Sequence, residues 1–200
     1  LVTSIKDAAA TASSGALGTD EKVALAKGAY RMAQQVQFAV DSTVFGGKQL
    51  LQGSYSGDWT VGYYADNSLL TLGIDLTTAN ADFNVKSQNF NLNAIASAKA
   101  GHTSDFAGVT GLDLESLNSV TDSNLGIFSD SEISTTLSSL AEALNNVNKV
   151  ASYLGGIEVR LNSQDELLKS QITNYSAAIS RIEDADIAQE TSNMTKQNIL

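Results

Sequence analysis

The sequence predicts a mainly α protein with a small β part: an elongated, rod-like helical bundle with one β-hairpin and a short irregular insert. Three observations carry this. An apolar seam steps by three and four residues through most of the last third of the chain. The 200 residues contain no proline, so nothing interrupts a long helical ladder. Alternation of period two is confined to one stretch, between residues 58 and 76.

The elements follow in order. Val2, Ile5, Ala8, Ala9 and Ala12 lie at helical spacing, and Ser13-Ser14-Gly15 closes that first helix. A second helix starts at Thr19 or Asp20, where Asp20 and Glu21 suit the positive end of the helix dipole. Val23, Ala26, Tyr30, Ala33, Gln37 and Val40 form its coiled-coil seam, widened by Ala29, Met32, Val36 and Ala39; it should end near Asp41. Trp59, Val61 and Tyr63 then face one way, as do Leu70, Leu72, Ile74 and Leu76, with Ala65 to Ser68 as the turn of a hairpin. Residues 82–131 are the least patterned, and Gly101, Gly108, Gly111 and Gly126 suggest loops and short elements there.

From Ile133 the seam is strong: Leu137, Leu140, Leu144, Val147, Ala151, Leu154, Ile157 and Leu161, resuming at Leu168, Ile172, Tyr175, Ile179 and Ile182. Asp130 and Ser131 are N-cap candidates. Over 133–182 a continuous helix would run roughly 75 Å. Gly155-Gly156 inside it points to close helix packing, because the seam keeps its phase across the pair. A hairpin alone cannot cover such a helix, so the N-terminal helices must pack along it. The division expected is 1–81, 82–130 and 131–200: two halves of one helical domain around a short insert. Both ends look cut, as in a piece of a longer chain.

Composition narrows the chemistry. There is no cysteine, so disulfides, thiolate metal sites and a thiol nucleophile are absent. His102 is the single histidine and sits in a polar loop, which disfavours a Ser–His–Asp triad and histidine-rich metal sites. A net charge of -10 repels phosphate backbones, so nucleic acid is not expected as a partner. No apolar run is long enough to span a membrane, and the first residues do not read as a signal peptide. Phosphate-loop and dinucleotide motifs are missing. Glu183, Asp184 and Asp186 could be read as carboxylate ligands, but adjacent helical positions point in different directions, so a solvated or subunit-facing patch is the better reading. Tyr55, Trp59, Tyr63 and Tyr64 could stack on carbohydrate; a local core is the more economical account. No enzyme activity, cofactor or metal is expected.

Two segments carry a resemblance. Ser180-Arg181-Ile182-Glu183-Asp184-Ala185-Asp186, continuing through Glu190 and Ser192-Asn193-Met194 to Ile199-Leu200, resembles the C-terminal signature of bacterial flagellins. Thr43-Val44-Phe45-Gly46-Gly47-Lys48-Gln49-Leu50-Leu51 is similar to that family's T-x-F-N-G-x-x-L-L turn, with Gly46 in place of Asn; glycine adopts the same positive-φ turn. Val159-Arg160-Leu161-Asn162 looks like the arginine-containing segment of the family's long C-terminal helix. The resemblance covers about 1–76 and 131–200.

It implies a structural subunit of the flagellar filament that acts by self-assembly into a helical tube for motility, secreted to the extracellular flagellum. The implied partners are further copies of itself, an export chaperone and a cap protein. Subunit contacts would fall on Arg181, Glu183, Asp184, Asp186, Asn193 and Met194, and the turn on Phe45, Gly46 and Gly47. The family's outermost core helices are missing from this chain, so it should build filaments poorly. The metalloprotease motif carried by some members is absent. Two alternatives remain: a hook–filament junction protein, and a surface adhesin or ligand-binding protein on a flagellin scaffold. Compact folding of 82–131 around an aromatic pocket would favour the latter. Some flagellins are sensed by a Toll-like receptor. Its contact positions for Arg, Leu and Glu fall on Ser4, Ala8 and Gly28, so the resemblance argues against recognition by this innate immune receptor.

Overall fold

A computed structural model describes residues 1–63, 68–77, 106–109 and 111–199, the Tyr63 side chain excepted. Helix α1 spans Val2–Ala12 and α2 spans Thr19–Ser42. Strands β1 (Val44–Phe45) and β2 (Lys48–Gln49) form a tight antiparallel pair. β3 (Ser56–Tyr63) and β4 (Leu69–Asp75) form a second two-stranded sheet. Two 3-10 turns follow, Glu115–Ser119 and Gly126–Phe128. Helix α3 then runs unbroken over Ile133–Ile199. The mainly α reading with a small β part therefore holds, and α3 extends past the seam that announced it. The expected turn at 65–67, together with Tyr64 and His102, lies outside the described residues.

The chain divides into two compact units. The first joins Leu1–Trp59 to Leu72–Leu154. Its core is laid down by the apolar faces of α1 and α2 with the first part of α3. Ile5, Ala9 and Ala12 of α1 are fully buried, as are Ala26, Ala29 and Ala33 of α2. Alanine on a helix face lets the neighbouring backbone come close, so α1 and α2 meet without large side chains between them. On α2 the buried line is Lys22, Ala26, Ala29, Ala33, Val36 and Val40. It steps by four and three throughout, as a heptad seam must. The expected line through Val23, Tyr30 and Gln37 is only half-buried, and Ala39 is exposed. The buried line takes Ala26, Ala33 and Val40 from the expected seam and Ala29 and Val36 from the residues expected to widen it, so the spacing holds and the buried face is turned toward the widened side.

The segment that looked least patterned contributes heavily to this core. Phe106, Leu112, Leu114, Leu117, Val120 and Phe128 are all buried. Polar anchors fix the path between them. Asp113 Oδ1 accepts from the backbone N–H of Glu115 (3.1 Å) and Ser116 (3.2 Å), starting the first 3-10 turn. Thr136 Oγ1 donates to the Ile127 carbonyl at 2.7 Å, and Asn146 Nδ2 donates to the Ala107 carbonyl at 2.9 Å. Asp130 does not serve as the plain cap suggested by its position. Its carboxylate pairs with the ammonium of Lys22, whose side chain is buried, and so ties α2 to the entry of α3. Tyr153 in turn accepts the Asp75 N–H at 3.1 Å, fastening the end of β4 to α3.

The second unit joins Thr60–Thr71 to Gly155–Leu200. Ile157 is the last buried side chain of α3. Gly155 and Gly156 are helical, but no atom of the described residues comes within 4 Å of a Cβ placed on either. Close packing at this pair, the expected reason for the glycines, is therefore not found. They sit where the helix stops being covered, and their cost in helix propensity is absorbed by its length.

Candidate assembly surface

The feature that asks for an explanation is the later part of α3. Among its described residues after Ile157, only Gln164 is even half-buried. Yet the seam continues. Ile172, Tyr175, Ile179 and Ile182 are between 56% and 69% exposed, and Ile187, Met194 and Ile199 are more than 60% exposed. Ile172, Tyr175, Ile179 and Ile182 repeat the three-and-four spacing that is buried between Ile133 and Val150, and Ile187, Met194 and Ile199 follow at wider steps. An isolated helix of this kind leaves a continuous apolar stripe in water, which single scattered side chains do not. The subunit-contact candidates Arg181, Glu183, Asp184, Asp186, Asn193 and Met194 all lie on this exposed stretch. They share one helix but not one face. Glu183 and Asp186 lie with Ile179, whereas Arg181 lies on the far side.

The β1–β2 turn is built as its sequence requires. Phe45 pairs with Lys48 across two residues, and Gly46 and Gly47 hold φ of 57° and 77°. Two consecutive positive-φ residues are the type I′ geometry that twists with its strands. Glycine takes it freely, and Asn is the usual alternative at the first position. Phe45 is 61% exposed and Val44 49% exposed. They follow Phe38, 75% exposed on the outer face of α2. Phe38 is a surface residue that periodicity could have flagged, because it stands eleven residues from Lys27 on the face opposite the alanine seam.

The remaining candidates are also placed. Ser4 is exposed; Ala8 and Gly28 are half-buried. A Cβ at Gly28 would meet nothing within 4 Å. Tyr55 is buried and its ring lies 6.3 Å from Trp59, as a local core pair. Tyr30 donates to Glu115 at 3.3 Å, and burial together with the carboxylate pushes its hydroxyl above the ordinary tyrosine pKa. Among the described residues no group of three or more His, Asp or Glu is arranged to hold a metal, and no helix is long and apolar enough to cross a membrane.

Fold and surface together define a helical scaffold protein that presents a bare, heptad-patterned face. Comparison with known proteins is more specific. Residues 137–200 match the bacterial flagellin C-terminal helical region. The flagellin of Bacillus subtilis strain 168 is 27% identical over 84% of this chain, which covers 54% of that protein. The putative flagellin YvzB of the same strain is 36% identical over 55% of this chain and 65% of its own length. The flagellin of Salmonella muenchen is 36% identical over 44% of this chain and 17% of that protein. The chain thus spans between about half and two thirds of the Bacillus relatives it matches. It is a flagellin-like protein.

Proposed function

We propose that the chain is a structural subunit of a bacterial flagellar filament and that it works by self-assembly rather than by catalysis. The observation that carries this is the exposed seam of α3 beyond Ile157. Burying one Leu or Ile side chain fully is worth about 1.5–3 kcal/mol, so a stripe of this length strongly favours association. Association with copies of itself gives a repeating lattice, and a contact that does not close on itself gives a helical filament.

In this reading 1–81 and 131–200 are the two halves of a rod domain, bridged by 82–130. The packing of Phe106 to Phe128 into the first unit's core favours the structural role over an adhesin with a separate binding domain. The protein would be exported with a chaperone, added beneath a cap and held outside the cell. Ser4, Ala8 and Gly28 lack the charged and bulky side chains a receptor would grip, so signalling through the innate immune receptor would be weak. Strong activation in a receptor reporter assay would overturn that part.

The main reading is tested by producing the full-length protein in a bacterium that lacks its own filament subunit. Filaments many micrometres long, seen by electron microscopy together with restored swimming, are the expected result. Hooks that gain only a short terminal zone would instead identify a junction protein, and bare hooks would reject both.

A further inference from the structure

We propose that Tyr30 is a latch that fastens the segment around the first 3-10 turn to α2, and that the latch opens in alkali when its hydroxyl gives up its proton. The inference concerns the fold of a single chain and does not depend on the assembly reading above.

The segment between Phe106 and Phe128 is held by polar ties of two kinds. Those toward α3 do not titrate: Thr136 Oγ1 donates to the Ile127 carbonyl and Asn146 Nδ2 to the Ala107 carbonyl. Toward α2 the tie is Tyr30, whose hydroxyl donates to Glu115 Oε1 at 3.3 Å. Leu114 and Leu117 on either side of Glu115 are buried, and Asp113 Oδ1 accepts from the first N–H groups of the turn. The backbone that carries the Glu115 carboxylate is thereby fixed opposite α2. Tyr30 and Glu115 are both half-buried. A phenol that donates to a carboxylate makes a charge-assisted bond, stronger than one between neutral groups.

That bond requires the proton on Tyr30. A phenolate has nothing to donate and faces a second negative charge across the same gap. Burial, and after it the Glu115 carboxylate, hold the hydroxyl above the ordinary tyrosine pKa. Gln34 opposes them, because its Nε2 donates to the hydroxyl oxygen at 3.2 Å and suits a phenolate, but it does not outweigh them. Lys27 and Arg31 of α2 itself are exposed. The elements around α2 also carry Lys6 and Asp7 on α1, Lys48 on β2, Glu142 and Lys149 on α3, and Asp113 before the turn. Among the described residues, Glu115 is the charged group that acts on the hydroxyl. A pKa raised by folding fixes the sign. The latch contributes its full stability below the unfolded tyrosine value of about 10, and loses it as pH rises through the folded value.

Urea midpoints of the unaltered protein and of Tyr30→Phe, measured in steps from pH 8 upward, test this. The difference between the two chains cancels the other tyrosines and the lysines, which titrate in both. The unaltered protein should have the higher midpoint at pH 8, and the gap should close by about pH 11. Glu115→Gln keeps an acceptor and removes the charge, so its alkaline loss should be smaller than that of the unaltered protein. At pH 8, amide exchange followed by mass spectrometry should be about tenfold faster over residues 115–119 in Tyr30→Phe, with residues 2–12 unchanged. A gap that stays constant with pH would overturn the proposal. Unchanged exchange over 115–119 would overturn it too, because Leu114 and Leu117 would then hold the turn without Tyr30.

Discussion

Ala107 is the one described non-glycine residue with positive φ, at 50°, and it is fully buried. With Gly108 it forms the turn between Phe106 and Val109, which bridge to each other. An L-residue in the left-handed region pays about 1–2 kcal/mol. Asn146 offsets this by donating to the Ala107 carbonyl from a side chain that is itself only 2% exposed. Asn146→Ala leaves that carbonyl unpaired in the core, and the penalty for such a group is about 1–3 kcal/mol. The substitution should lower the urea midpoint by a corresponding amount with the slope unchanged. An unaltered midpoint would show that the turn needs no anchor. Nothing local in the sequence marks Asn146 as buried, because it falls beside Val147 where the seam expects solvent.

At the scale of elements, the join between α2 and α3 depends on an unequal ion pair. Lys22 has 6% of its side chain exposed and Asp130 has 81%. The lysine stem is part of the α2 seam, so its burial is chiefly hydrophobic, with the charge reaching out to a solvated carboxylate. Removing the two partners should therefore have different effects. Lys22→Met keeps the stem and discards the charge, and should be neutral or slightly stabilising. Asp130→Ala strands the ammonium and should cost about 1–3 kcal/mol, less than a fully buried pair because water reaches the site. Chemical denaturation of both variants decides it; equal losses would mean that the pair itself, and not the packing of the stem, holds the join. The sequence marked Asp130 as an N-cap candidate and singled out nothing at Lys22. The pairing across more than a hundred residues could not be seen locally.

For the whole molecule, the contrast between the covered and bare parts of α3 sets its dynamics. Helical residues with packed side chains exchange their amide hydrogens only on larger unfolding, whereas an uncovered helix of ordinary propensity frays and reopens readily. Amide exchange of the dissociated chain should be slow between Leu140 and Ile157 and faster by orders of magnitude from about Ser163 onward. In assembled filaments the second region should become protected. Uniform protection along α3 in the dissociated chain would show that the exposed seam is stable alone, and the argument for association would lose its main support.

The existence of the helices was legible because helical period is local. Val2–Ala12 and the start of α2 at Thr19 were read directly, as was α3 over its seam from Ile133 to Ile182, and the hairpin by its period of two. The Gly46-Gly47 turn was legible for the same reason, since positive φ is a property of single residues. The C-terminal signature identified the kind of protein before any contact was known. Three things belonged to the tertiary structure alone. One was which of two staggered heptad lines on α2 is buried, a choice that requires knowing where α1 lies. Another was the burial of Phe106 to Phe128, whose irregular spacing carries no period to read. The last was the point on α3 where cover ends, at Ile157. The seam looks alike on both sides of that residue, because apolar spacing records what a helix can bury, while the positions of its neighbours decide what it does bury.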